Sequence, residues 1–173
     1  MLGQNLGPPV VVIGGGFGGA ACARALRKAD PRIVVTLVEA NATYTAMPHS
    51  NAVIGGLAEL SQQQFGYDKI KGDGVDVALS AATSVDGDKR VVTLADGGKL
   101  TYERLVVSPG IEFRGSSIQG YDAAARAAMP PAFNDSAEVA LLRRKLEAMA
   151  DGGTQDDGAG KRHQPGGRPD FVQ

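Results

Sequence analysis

An α/β fold built on a parallel β-sheet is predicted by three features of this sequence. The apolar run Val10-Val11-Val12-Ile13 breaks into a glycine turn, Gly14-Gly15-Gly16-Phe17-Gly18-Gly19. A helical stretch then leads to a second β-branched run, Ile33-Val34-Val35-Thr36-Leu37-Val38, which ends at Glu39. Further along, short β-type segments are punctuated by explicit turn residues. Strand, tight turn, helix and strand in that order make up the opening of a doubly wound sheet.

Each element of that opening has a local reason. Gly14, Gly16 and Gly19 satisfy G-x-G-x-x-G, in which the glycines permit a tight turn, a close backbone approach to phosphate, and close packing of helix on strand. Ala23, four residues on, keeps that packing tight. The helix runs from Phe17 to about Lys28, where Ala29-Asp30-Pro31-Arg32 breaks it. Its first turn presents unpaired N–H groups and the positive end of a dipole, so a diphosphate can dock without a basic side chain. Glu39 follows Gly19 by 20 residues, the spacing at which an acid ending the second strand reaches a ribose diol. The unit is therefore Rossmann-like. A carboxylate at that point disfavours a 2′-phosphate, so FAD or NAD fits better than NADP. Phe17, Gly18 and Ala40 complete the contacts expected around the turn and the strand end.

The chain has 173 residues, enough for about one domain and a sizeable core. Its net charge of −1 supplies no general attraction to nucleic acid or to an anionic membrane, and neither partner is expected. No stretch is long enough to span a bilayer, and the first nine residues lack the basic and apolar regions of an export signal, so the chain as written would stay in the cytoplasm. Cys22 is the single cysteine. Lying among alanines on the first helix, it is expected to pack as a small apolar group.

From Asn41 to Gly72 the pattern is irregular and too long for a plain turn. Such a stretch holds short helices or a functional loop. Because it follows the ribose-binding strand end, it is the candidate wall over the reactive part of a cofactor. His49 lies within it, but a lone histidine there reads as a surface or packing residue. Next come β-type segments Val75–Leu79, Ala82–Val85, Arg90–Ala95, Lys99–Tyr102 and Leu105–Ser108. Asp86-Gly87-Asp88 and Asp96-Gly97-Gly98 are hairpin signals, which makes the middle pieces an antiparallel meander. Leu105-Val106-Val107 lacks alternation, as expected of a strand buried on both faces, and Ser108-Pro109-Gly110 turns the chain beside the glycine loop. The architecture predicted is one parallel sheet with an antiparallel meander as its crossover.

Residues 112–134 read as loop, with Met129-Pro130-Pro131 excluding regular helix. Asp135 and Glu138 then form a capping box, and Val139, Leu142, Leu146 and Met149 lie at helical spacing as a core-packing face ending at Asp151-Gly152-Gly153. From Thr154 the composition turns polar and glycine-rich, and a disordered tail is expected over 154–173. His163, beside Lys161 and Arg162, belongs to that tail.

Five stretches together resemble the flavin-binding subunit of flavocytochrome c sulfide dehydrogenase, over about residues 9 to 154. They are the glycine turn, Val-Thr-Leu-Val-Glu, Tyr-Thr followed by Ser-Asn-x-Val-Ile-Gly-Gly, Leu-Val-Val-Ser-Pro-Gly-Ile-Glu, and Met-Ala-Asp-Gly-Gly-Thr. The resemblance implies an FAD-binding Rossmann-like domain over 9–134, a helix at 135–153 leading towards a second dinucleotide domain that this sequence lacks, and location in the periplasm. It implies a flavin-dependent sulfide:cytochrome c oxidoreductase in which sulfide gives two electrons to FAD and a cytochrome c subunit receives them singly. By matching position, Gly14, Gly16 and Gly19 would hold the pyrophosphate and Glu39 the adenosine ribose. Ser108, Pro109 and Gly110 would approach from the neighbouring strand end, Ser50 and Asn51 would lie near the isoalloxazine, and the Ala78 backbone would approach adenine. Two departures stand out. The family's first redox-active cysteine would fall between Tyr44 and Asn51, where this chain has Met47, and after Thr154 an apolar strand is expected but polar residues follow. The chain therefore reads as an incomplete or inactive form, with a non-catalytic FAD- or NAD-binding module or a cytochrome-docking module as the alternatives.

Overall fold

The computed structural model describes residues 7–111, 118–132, 136–150 and 152. The first six residues, the Asp135 half of the capping box, the helix stop at Asp151 and Gly153, and the tail from 154 lie outside the described residues. The chain is a Rossmann-like α/β fold. Strand β1 (Pro9–Ile13) leads into helix α1 (Phe17–Ala29) and then β2 (Val34–Glu39). With β5 (Asp76–Leu79) and β9 (Arg104–Val107) these strands form a four-stranded sheet in the order β5-β2-β1-β9, every pair parallel.

Alternation along β1 explains why it is central. Val10 and Val12 point to one face, into a core with Ala23 of α1, Val35, Leu37, Tyr67, Ile70 and Val75. Val11 points to the other, into a core with Val38, Val92 and Leu94. Val92 and Leu94 belong to the meander of β6 (Ala82–Asp86), β7 (Val91–Leu94) and β8 (Lys99–Thr101), an antiparallel sheet that covers the face opposite α1. The first meander turn takes one residue more than expected. Arg90 has φ 52, a left-handed conformation that cannot continue a strand, so β7 begins at Val91.

The irregular stretch after β2 resolves into small elements. Strands β3 (Thr43–Thr45) and β4 (Gln64–Gly66) pair as an antiparallel ribbon. Between them lie a 3₁₀ turn at Met47–His49, helix α2 (Ser50–Ile54) and a second 3₁₀ turn at Leu60–Gln63. Helix α3 (Asp68–Gly72) then returns the chain to the sheet, and an Asp73–Arg24 ion pair ties its end to α1.

Three expectations are corrected. The Leu105–Val107 strand is not buried on both faces: β9 is the sheet's edge among the described residues, its two central residues are half-buried, and Val107 is 64% exposed. The 112–134 stretch contains helix α4 (Ala123–Ala128), because Asp122 accepts a hydrogen bond from the Ala125 N–H at 2.9 Å and an alanine run follows; the prolines stop it without preventing it. Cys22 is half-exposed instead of sequestered. The last helix, α5 (Ser136–Glu147), buries Val139 and Leu142 and packs against α2, while Met149, beyond its end, is exposed.

The edge position of β9 has a measurable consequence. Val12→Ala is expected to cost about 2 kcal/mol of unfolding free energy, whereas Val107→Ala should stay within about 0.5 kcal/mol of the parent. Urea denaturation of the two variants separates them, and equal losses would contradict the exposed edge.

Candidate functional site

The site begins where β1 stops. Gly14 has φ +97, and a Cβ there would fall on the Ser108 carbonyl, so the turn needs a residue without one. Its N–H donates to Val38 O at 2.8 Å and Ser108 N–H donates to Ile13 O at 2.8 Å, which brings the ends of β2 and β9 to the same turn. A Cβ on Gly19 would fall on the Gly14 carbonyl oxygen; glycine there lets α1 sit directly on the strand end. Gly16 caps α1 without any side-chain bond, and the first turn carries no acidic residue. The helix N-terminus thus offers its N–H groups and positive dipole end with no acidic side chain of its own first turn in competition.

Glu39 closes the far side of the turn. Its Oε2 accepts the Gly15 N–H at 2.7 Å, and its Oε1 accepts the Asn41 backbone N–H at 2.9 Å and the Asn41 Nδ2 at 3.2 Å. From below, the buried Tyr67 hydroxyl donates to the Gly15 carbonyl at 3.2 Å. Burial, then the charge of Glu39 and the neighbouring Tyr44, push the Tyr67 phenol up to about 12. Tyr44 is also pushed up, by burial, and meets Phe17 edge to face with ring centres 5.1 Å apart.

These groups line an open cavity of about 820 Å³, a size that suits a nucleotide cofactor. Gly14, Gly16, Phe17, Gly18, Glu39, Ser108, Pro109 and Gly110, all expected at the site from sequence, lie in its wall. Gly19 sits beneath the turn. Ala40 is exposed at the strand end, outside the lining. Ser50 and Asn51 do not reach the cavity: Ser50 is buried at the start of α2, its Oγ without a hydrogen-bond partner among the described residues, and Asn51 is exposed. Ala78 pairs with Val38 and packs on the meander side of the sheet. His49 and Cys22 are also outside the lining, and no metal-holding group of three His, Cys, Asp or Glu occurs among the described residues.

Sequence reading did not single out Asn41, Thr43 or Tyr67, which also line the cavity. Asn41 could have been found from its place two residues beyond the acid. Tyr67 carries no local signal, since it reaches the turn from 52 residues away. Tyr44, Thr45, Met47 and Pro48 form the wall on the side of the ribbon, so the start of the irregular segment borders the cavity.

Residues 8–145 match the family model described as pyridine nucleotide-disulphide oxidoreductase. A stretch of 44 residues is 61% identical to the sulfide dehydrogenase [flavocytochrome c] flavoprotein chain of Chlorobaculum thiosulfatiphilum, covering 25% of this chain and 92% of that sequence. Among solved structures, the sulfide:quinone oxidoreductase of Aquifex aeolicus superposes with a TM-score of 0.71 at 24% identity, over 82% of this chain and 32% of the other. An NAD-dependent persulfide reductase from A. fulgidus gives 0.55 at 27% identity, over 66% of this chain and 24% of the other. The chain spans about a third of the first of these structures and about a quarter of the second.

The Tyr67 support under the turn can be measured. Tyr67→Phe should destabilise the fold by about 1 kcal/mol, because the Gly15 carbonyl loses its donor. A phenol whose acidity is lowered on folding contributes stability that is complete below pH 10 and is lost as pH rises through about 12. Ultraviolet titration should show that the latest of the tyrosine ionisations disappears in the variant. Ionisation of all tyrosines together near pH 10 would contradict this.

Proposed function

The chain belongs to the pyridine nucleotide-disulphide oxidoreductase family, and from that premise we propose that it is the FAD-holding part of an oxidoreductase that takes electrons from sulfide and passes them to a c-type cytochrome. One observation carries the reading: the uncapped N-terminus of α1 and the Glu39 carboxylate open on the same cavity. The 61% identity of one stretch to a sulfide dehydrogenase flavoprotein chain supports the choice of substrate and acceptor. That pairing belongs in the periplasm. No helix among the described residues is long and apolar enough to cross a membrane.

The residues present fit FAD. Gly16, Phe17 and Gly18 would hold its pyrophosphate through backbone N–H groups, and Gly14 and Gly19, by carrying no Cβ, keep that backbone close to the strand. Glu39 would accept hydrogen bonds from the adenosine ribose. Ser108, Pro109 and Gly110 border the cavity from the end of β9, and Tyr44, Met47 and Pro48 wall it on the ribbon side, excluding water from that flank. When bound, the flavin supplies the capacity to accept an electron pair and release electrons one at a time.

Met47 favours a second reading. It stands in the cavity wall where the sulfide dehydrogenase resemblance implies a redox cysteine, and a thioether forms neither a persulfide nor a disulfide. On that reading the chain holds FAD and docks a cytochrome without turning over sulfide. Sulfide-dependent reduction of cytochrome c by the chain would exclude it.

Reconstitution with FAD followed by gel filtration should give a protein peak with flavin absorbance, and its absence would overturn the proposal. Glu39→Gln is expected to weaken FAD about tenfold or more, since a charge-assisted acceptor is lost at the sugar. Fluorescence titration of the flavin measures that change.

A further inference from the structure

We propose that an internal water molecule bridges Ser50 Oγ and Gln63 Oε1 behind the ribbon-side wall of the cavity and braces the turn that carries Met47. The inference is independent of what the cavity binds. Ser50 is 1% exposed and Gln63 7%. Neither Ser50 Oγ nor Gln63 Oε1 has a hydrogen-bond partner among the described residues, so the two oxygens do not bond each other. The other end of the same carboxamide is engaged, because Gln63 Nε2 donates to the His49 carbonyl at 2.8 Å. His49 immediately precedes Ser50, so both unpaired oxygens belong to the place where the second 3₁₀ turn meets the start of α2.

A buried polar atom left unpaired is costly, and native proteins pair such atoms with protein groups or with ordered water. Turning the carboxamide over does not help here. It would set Oε1 against the His49 carbonyl, two acceptors face to face, and forfeit the Nε2 bond. Gln63 Oε1 therefore keeps its place and can only accept, whereas the Ser50 hydroxyl can donate or accept. A water molecule satisfies both: it donates one O–H to Gln63 Oε1 and accepts the O–H of Ser50. With both side chains buried, water is the class of ligand small enough for the site. Its mechanical effect follows from what else Gln63 holds. The Gln63 carbonyl accepts the Ala46 N–H at 2.9 Å, so this residue grips the chain on both sides of Met47 and Pro48, at 46 through its backbone and at 49 through its carboxamide. The water extends that grip to α2. Met47 and Pro48 line the cavity while Ser50 and Gln63 do not, so the brace acts on the wall from behind.

The sign of one substitution tests this. In the full chain, Ser50→Ala should lower the thermal unfolding midpoint by about 3 °C, the value of one lost hydrogen bond in a protein of this size. Water magnetic relaxation dispersion should then count one long-lived internal water fewer than in the unaltered chain. Hydrogen exchange at the Ala46 amide should quicken about fivefold, the same loss read at one position. A raised or unchanged midpoint would mean that the hydroxyl has no partner to lose, and would overturn the inference. A lowered midpoint with the water count unchanged would mean that Ser50 bonds the protein directly, and would overturn it equally. Unchanged exchange at Ala46 would overturn the bracing of the turn. A crystal structure of the unaltered chain decides the matter without a variant: an ordered water within about 3.2 Å of both oxygens is expected, and oxygens bonded to each other or to nothing would overturn the inference.

Discussion

Gly15 is the constraint on which the rest of the site depends. Its N–H is committed to Glu39 at the end of β2, and its carbonyl to Tyr67 ahead of α3. The two peptide groups that flank its Cα are therefore each held by a segment remote in sequence. The position must be glycine: a Cβ there would lie 2.5 Å from the Tyr67 hydroxyl oxygen. With Gly15 fixed from both sides, the next residues have no freedom to close over their own N–H groups, and the helix N-terminus stays open to the cavity. The same clamp keeps a negative carboxylate against the strand end while the positive end of α1 faces the cavity. Without it, Glu39 would be free to cap the helix itself, as acids near helix N-termini do.

The clamp is in turn held by the core. Tyr67 sits in the helix-side core with Val10, Val12 and Val35, and Ile70 of α3 is buried in the same cluster. The Arg24–Asp73 ion pair joins the end of α3 to α1. Exposed ion pairs of this kind contribute little energy, so the apolar contacts of Tyr67 and Ile70 carry the positioning. A packing change beneath the sheet would reach the glycine turn through one phenol.

Steric rules made much of this legible in advance. The demand for glycine at 14 and 19, the 20-residue step to Glu39, and the meander's turn signals all follow from backbone geometry, which acts over a few residues. What escaped depends on partners far along the chain. Gly15 reads as a free position of the motif until Tyr67 is in place. The β3–β4 ribbon pairs strands of three residues across two 3₁₀ turns and a helix, and so short a strand has no visible alternation. The Leu105-Val106-Val107 run carries the composition of a doubly buried strand, yet its burial is set by what lies beyond the sheet edge, and composition does not encode that. Helix α4 is hard to read because it is only six residues long, with Pro130 and Pro131 following soon after the aspartate that starts it.

The two flanks of the cavity are built to different standards. The flank of the glycine turn rests on a four-stranded sheet and two cores. The opposite flank, with Tyr44, Met47 and Pro48, rests on a two-stranded ribbon, and such a ribbon is marginal by itself. Its support comes from the Ala46 N–H donating to Gln63 O and from Gln63 Nε2 donating to His49 O, at 2.9 and 2.8 Å. Behind it α2 packs on α5, and Arg143 of α5 donates to the Ala58 carbonyl at 3.2 Å. Ser136, the first residue of α5, also lines the cavity. Helix α5 is therefore more than a core-packing stripe: it braces the flank that carries Met47. No residue of the ribbon donates or accepts a hydrogen bond in the Gly15 clamp, yet the two flanks meet at two points, because Tyr67 follows β4 directly and Tyr44 of β3 rests on Phe17 at the start of α1.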